Sequence, residues 1–363
     1  MEERLFIDIN VIQTMPPNCA NRDDTGSPKT CIYGGVRRAR VSSQSWKRAT
    51  REYFHGKVDE SLLSVRTTKI VQMVVDSIKN LDSTIDDATA LSKAQDVLEK
   101  AGVKVKVKSK KKDDDAVPEA QALFFMSNKQ AKNLAELAIS GDYDKKKVEE
   151  ALNKGHGIDI ALFGRMVADN PLLNADASSQ VAHAISTHKV ENEYDYYTAV
   201  DEKSPEDNAG AGMIGTVEFN SSTLYRYATV AIHDLARQLD DRDVTALAVE
   251  EFIRAFILSM PTGKQNTFAN RSIPYSVFIA LRKDQPVSLA PAFESPVQPD
   301  RLSGGYNAGS VAAMVDCEKK YRQDFIEVPL ASWQIGNGLE DLGPSMNLQD
   351  ALKEIRERIV EEI

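Results

Sequence analysis

The sequence predicts an α+β protein in which a core of mixed strands and helices carries two large insertions. Three observations predict it. Strand-like segments occur near residues 5–13 and again near 275–281. Between them, the region from about residue 58 to 155 is polar and has helical spacing. The segment ENEYDYYTAVDEKSPEDNAGAGMIGTVEF (191–219) is aromatic at one end and rich in Gly, Ser and acid in its middle, as a protruding hairpin would be. No internal repeat is visible.

Taken in order, residues 5–13 (LFIDINVIQ) alternate and are rich in β-branched types, which suits a first strand. Residues 15–28 hold Pro16, Pro17 and Pro28 and read as a loop. Residues 36–43 suit a second strand, whose period of two puts Arg38 and Arg40 on one face and Arg37, Ala39 and Val41 on the other. Ser42, Ser43 and Ser45 offer N-caps for a helix over 46–54, on which Lys47, Arg48 and Arg51 fall within about one turn. Ile70, Val71, Val74, Val75 and Ile78 keep helical spacing, as do Leu134, Leu137 and Ala138. KVKVKSKKKDDD (104–115) is low-complexity and reads as a loop. GIDIALFGRM (157–166) returns the chain to the core, and SQVAHAISTHKV (179–190) reads as a strand. After the hairpin, 224–230 is a strand, 244–260 a buried helix, 261–274 a polar loop and 275–281 a strand. Helices over 311–322 and 348–360 close the chain.

Composition bounds the function. With 42% hydrophobic and 27% charged residues among 363, the chain can bury a core. No apolar run approaches the roughly 18 residues that span a bilayer, and MEERLFIDINVI is unlike a signal peptide. Cys19, Cys31 and Cys317 are odd in number and lack CxxC spacing, which argues against a disulfide framework and a zinc site. A cytoplasmic protein without membrane contact is expected.

The net charge is −9, yet Lys29, Arg37, Arg38, Arg40, Lys47, Arg48 and Arg51 lie in residues 25–51 without one acid. A basic groove on an acidic body can hold nucleic acid, because screening makes the local potential decide. The cations would neutralise backbone phosphates, and Ser42, Ser43 and Gln44 would add hydrogen bonds to phosphate or to a 2′-OH. The competing reading is a solvated face. Lys145, Lys146 and Lys147 form a smaller cluster, by default solvated and otherwise a duplex-backbone contact. Asp23 and Asp24 sit where nuclease carboxylates could stand, although turn capping explains them better. Asp113–Asp115 read as a charge-balanced loop. His183 and His188, five apart, make a poor metal pair, and GAGMIG (210–215) lacks the helix a dinucleotide site needs. No cofactor or metal is expected.

Seven segments in order, CANRDD (19–24), GGVRRARVSSQSWKRA (34–49), GIDIALFGRM, QVAHAISTHKV, YYTAVDE (196–202), TVEFNSSTLYRYA (216–228) and GKQNTFA (263–269), are similar to the repeated backbone subunit of type I-E CRISPR Cascade, the CasC family. The resemblance is weakest over 57–154 and beyond 282. It implies a hand-shaped protein: a modified RNA-recognition-motif (ferredoxin-like) palm over 1–57, 156–190 and 223–363, helical fingers over 58–155, and a β-hairpin thumb over 191–222. It implies copies stacked head to tail along one guide RNA (crRNA), the thumb kinking the RNA so that the bases between kinks pair with target DNA, beside other Cascade subunits. Residue by residue, it implies guide contacts for Arg22 and Lys29, for Ser42, Gln44, Lys47, Arg48 and Arg51, and for Lys264, Gln265, Asn266 and Thr267. Met166 would pack near the kinked nucleotides, and Lys145–Lys147 would meet DNA. With Arg38, Arg40 and Ser43 from the charge reading, these form the expected RNA surface.

Three functions compete. The first is a non-catalytic guide-RNA scaffold. The second is a metal-dependent endonuclease of target RNA that uses a loop aspartate, as backbone subunits of type III complexes do. The third is a lone single-strand binder. The resemblance and the lack of an assembled acid–base partner favour the scaffold.

Overall fold

The structure, a computed structural model, describes residues 4–106, 117–167, 170–199, 213–302 and 304–363. Most of the 104–115 segment, with Asp113–Asp115, and the hairpin tip at 200–212 lie outside the described residues. The chain forms two compact units. One comprises 1–53, 181–229 and 252–355; the other comprises 54–180, 230–251 and 356–363.

In chain order the first unit opens with β1 (Phe6–Asn18), β2 (Thr30–Tyr33), β3 (Val36–Val41) and helix α1 (Ser43–Phe54). The second unit follows with β4 (Ser64–Thr67), α2 (Ile70–Leu81), α3 (Asp87–Lys100), β5 (Val105–Lys106), β6 (Glu119–Ala120), β7 (Phe124–Ser127), α4 (Asn128–Ser140), α5 (Lys145–Asn153) and α6 (Ile158–Phe163). Then come β8 (Ser179–Val181), β9 (Ala184–Ser186), β10 (Glu193–Ala199), β11 (Met213–Ala231), α7 (Ile232–Leu239), α8 (Arg242–Leu258), the four-residue α9 (Gln265–Phe268), β12 (Ser276–Arg282), α10 (Asn307–Asp324), β13 (Ala331–Gly336) and α11 (Leu348–Glu362).

The first unit is built on an antiparallel sheet of order β13-β12-β1-β11-β9-β3-β2. β1 runs five residues beyond the expected strand end at Gln13, into the first residues of the region predicted to be a loop. Its first eight residues are buried without interruption, because both faces are covered. On one face Ile12 packs with Tyr225, Phe278, Phe293 and the α10 residues Val311 and Met314. Asp8, Asn10, Gln13 and Asn18 of β1 are buried with partners. Tyr225 donates its hydroxyl to Asn10 Oδ1 (2.7 Å) and Tyr227 to Asp8 Oδ1 (2.8 Å). Arg282 reaches both Asp8 (3.4 Å) and Glu318 (2.5 Å), and Glu318 also accepts from Arg322 (2.8 Å). Burial pushes the Asp8 carboxyl up to about 6, against the lowering effect of the Val287 N–H, its hydroxyl partners and Arg282.

β2 was not expected from the sequence. It pairs with β3 through a two-residue turn at Gly34 and Gly35, whose φ values of 56° and 74° suit a type I′ hairpin. The expected strand over 179–190 is two short strands, β8 and β9, and the expected 224–230 strand is the end of the long β11. β10 and β11 pair from Glu193↔Phe219 to Ala199↔Met213, an antiparallel ribbon. Its opposed residues share a face, and Tyr194, Tyr196 and Ile214 stand exposed on the same one.

The second unit is a helical cluster around Val74, Ile78, Val97, Leu98, Leu134 and Leu152. A capping box starts α4, with Ser127 accepting from the Gln130 N–H while the Gln130 side chain accepts from the Ser127 N–H; Gly141, at φ 69°, ends the helix. Residues 156–180 fall within this unit. Asp159 is buried and accepts from the Ser64 N–H (2.9 Å). Arg165 is buried too: it donates to the carbonyls of Leu173 (2.9 Å), Leu152 (3.1 Å) and Phe125 (3.3 Å). Desolvation lowers its guanidinium to about 10. The arginine of the GIDIALFGRM segment is thus a structural tie. α7 and β13, absent from the sequence reading, complete the two units.

Candidate nucleic-acid interface

In the first unit three sequence-distant segments meet. Residues 19–29 form a loop closed by the Arg22↔Pro28 bridge and by Lys29 N–H to Asn21 C=O (2.9 Å). Asp23 caps its turn: Oδ1 accepts from the N–H groups of Thr25 (2.9 Å) and Ser27 (3.0 Å) and from the Thr25 hydroxyl (2.7 Å). Those hydrogen bonds, the Thr25 hydroxyl first, hold its carboxyl below the usual range. Arg22 and Asp24 are exposed. The loop is tied to the next segment by Asn21 Oδ1, which accepts from the Ser42 N–H (2.8 Å), and by the Lys29 carbonyl, which accepts from the Arg40 N–H (2.9 Å).

The 261–269 segment packs on the same loop. A Cβ at Gly263 would collide with the Ala20 carbonyl, so only glycine permits this approach. Together they line a shallow cavity of about 450 Å³ with Asn21, Arg22, Asp23 and Asp24. Lys264 follows at φ 49°, an uncommon conformation for a residue with a side chain, and the Lys264 and Arg22 charges both act on buried Cys19. Gln265, Asn266 and Thr267 are exposed beside it on α9. The two loops predicted as guide contacts are therefore adjacent.

The β3–α1 segment divides differently from the expectation. Arg38 is wholly buried and donates to the carbonyls of Phe293 (2.8 Å), Ser186 (3.0 Å) and Tyr33 (3.2 Å). It holds the core and is removed from the expected RNA surface. Strand alternation had placed it correctly beside Arg40, but that face is covered at Arg38 and open at Arg40. The Ser42 side chain is buried as well; its carbonyl accepts from the Ser45 and Trp46 N–H groups at the start of α1. Helix α1 begins at Ser43, so Ser45 lies within it. Ser43 is half-buried and Gln44 exposed.

On α1, Trp46 is buried and anchors the helix, its ring lying 3.7 Å from the guanidinium carbon of Arg226. Arg226 is buried, bonded to Gln13 and to the Phe256 carbonyl, and lowered by desolvation to about 9. This anchoring presents Lys47, Arg48 and Arg51. Lys47 is half-buried and partly desolvated, which lowers its ammonium pKa. Arg48 is exposed and paired with Glu52 (2.7 Å); Arg51 is half-buried.

One residue the sequence reading left aside belongs to this surface. His183, exposed between β8 and β9, accepts at Nδ1 from the Ser43 N–H (3.3 Å) and lies 3.3 Å from Arg40 Nη1. Its partners lie 140 and 143 residues away, so no local pattern could indicate it. His188, by contrast, is buried, stacked on Tyr306, and its Nε2 accepts from the Thr223 N–H (3.0 Å).

The remaining candidates belong to the second unit. Lys145, Lys146 and Lys147 open α5 and are exposed; Lys145 faces Glu149 (3.7 Å) and Lys147 pairs with Asp142 (2.9 Å). Met166 is 85% exposed, next to the buried Arg165. Among the described residues no cluster of three His, Cys, Asp or Glu side chains could hold a metal ion, and no helix is long and apolar enough to cross a membrane.

The chain resembles solved structures over its length. One chain from a "CRISPR RNA-guided surveillance complex, pre-nicking" is 31% identical, with a TM-score of 0.77 over 96% of this chain and 100% of that one. Another, from a "CRISPR RNA-guided surveillance complex", is 28% identical, with a TM-score of 0.69 over 99% and 100%. Curated proteins include no match. The model of one family, described as CT1975-like protein, matches residues 7–358. With nearly every described element inside that match, the chain belongs to the CT1975-like Cas family.

Proposed function

We propose that this chain is a non-catalytic backbone subunit of a type I-E-like Cascade complex, whose copies line up along one CRISPR guide RNA and hold it for pairing with target DNA. The observation that carries the reading is the joining of three cationic segments in one unit: the Arg22–Lys29 loop, the Arg40–Lys47–Arg51 surface and the Lys264–Thr267 turn. Such a surface follows a ribose–phosphate path without reading bases, which suits a protein whose sequence recognition is delegated to base pairing. In this reading the sheet unit is the palm, the helical unit the fingers and the β10–β11 ribbon the thumb. Repetition along one strand turns modest contacts per copy into avidity. Asp23, already committed to its turn, leaves Asp24 as the loop carboxylate of the competing endonuclease reading.

The test is titration of the protein onto single-stranded RNAs of increasing length, with magnesium and with EDTA, sized by native mass spectrometry. Copies adding at a fixed nucleotide increment on intact RNA are expected. Regular magnesium-dependent cuts, abolished by Asp24→Ala, would replace this reading with the endonuclease. Binding without length-dependent assembly would reduce the protein to a lone binder.

A further inference from the structure

The geometry points to His183 as an RNA-contacting residue, its Nε2–H donating a hydrogen bond to an acceptor oxygen of the bound ribose–phosphate chain. The inference rests on the proposed function and adds a neutral contact to a surface otherwise made of cations.

The Ser43 N–H can only donate, so Nδ1 must accept, and a neutral imidazole then carries its proton on Nε2. Nδ1 faces the first turn of α1 and Arg40; among the described residues every hydrogen bond of His183 is made there. The ring is exposed, so Nε2–H is a fixed donor with no acceptor among the described residues. It stands among Arg40, Lys29 and the start of α1, the residues that would grip phosphate. Partial desolvation, followed by the Arg40 and Lys29 charges, holds the imidazole below its usual range and so neutral. A neutral donor neutralises no phosphate, releases no counterion and leaves no trace in the salt dependence of binding.

Two variants separate contact from scaffolding. In His183→Gln the amide nitrogen takes the place of Nε2, whereas in His183→Asn the amide takes the place of Nδ1 and cannot reach outward. Binding of a labelled oligouridylate is measured against salt for the full chain, with unfolding midpoints recorded alongside. The expected result is an affinity about five- to tenfold lower for His183→Asn at an unchanged salt slope and unchanged midpoint, the size of one net hydrogen bond to a charged or polar group. His183→Gln should stay within about threefold of the wild type. Repeating the comparison on the 2′-deoxy strand assigns the acceptor: an effect that persists marks a phosphate oxygen, and one that vanishes marks the 2′-OH. Wild-type affinity in His183→Asn, or equal losses in both variants with a lowered midpoint, would overturn the inference. If the wild type binds with a Lys47-dependent salt slope in that case, the proposed function survives and only the His183 contact falls. A wild type that binds no oligouridylate removes both.

Discussion

Arg38→Ala offers the sharpest separation between charge that binds and charge that folds. Arg38 is wholly buried and its guanidinium satisfies three backbone carbonyls at 2.8–3.2 Å, with the Glu294 carbonyl a longer contact at 3.4 Å. Truncation leaves those acceptors unpaired in the interior and opens a cavity. A buried acceptor left without its donor costs about 1–3 kcal/mol. Partial relaxation of the Tyr33 and Glu294 ends keeps the expected loss near 3–4 kcal/mol rather than the full sum. Urea unfolding followed by tryptophan fluorescence, in which Trp46 and Trp333 report on this unit, should show a midpoint lower by roughly 1–2 M. Arg40→Ala, two residues on and half-exposed, should leave the midpoint in place and weaken RNA binding. An Arg38→Ala protein as stable as the wild type, with a reduced salt slope of RNA binding, would refute the structural placement.

On α1, Lys47→Ala should lower the salt slope of RNA binding by about 0.7, one single-strand phosphate contact, as read from affinities across a salt series. Arg48→Ala should lower it less, because Glu52 already neutralises that guanidinium; equal slopes in the two variants would count against the pairing. Gly263→Val should force the Ala20 and Gly263 backbones apart, at about 1–3 kcal/mol of overpacking, and weaken RNA binding several-fold by separating Arg22 from Lys264. Unchanged affinity would show that the loop contact is irrelevant to binding. Asp8 has a folded pKa of about 6, above its ordinary 3.8, so the folded state holds the proton more tightly. Its contribution is therefore favourable below about 4 and is lost as pH rises through about 6, by up to about 3 kcal/mol. Wild type minus Asp8→Asn unfolding free energies should fall across that window, and a flat difference would exclude it.

Much of the site was legible because charge and periodicity are local properties. An acid-free run of cations names the segment that carries the potential, and the strand period correctly groups Arg38 with Arg40. The aromatic and glycine-rich stretches mark the β10–β11 ribbon, and the spacing of Ile70 to Ile78 marks a helix. Resemblance in short motifs points to a CRISPR-associated protein, and the family match over residues 7–358 shows a Cas family. Tertiary structure alone decided which charges reach solvent. Period two sorts residues onto faces but cannot say how far each face is covered; Arg38 lies under Phe293 and Ser186, whereas Arg40 lies at the margin. The same long-range packing sequesters Arg165 and Arg226, whose burial depends on carbonyls brought from other elements. It also sets Gly263 against Ala20 and His183 against Ser43. Those contacts span segments far apart in the chain, so the physics that fixes them, close packing and the pairing of buried polar groups, leaves no mark in any local window of the sequence.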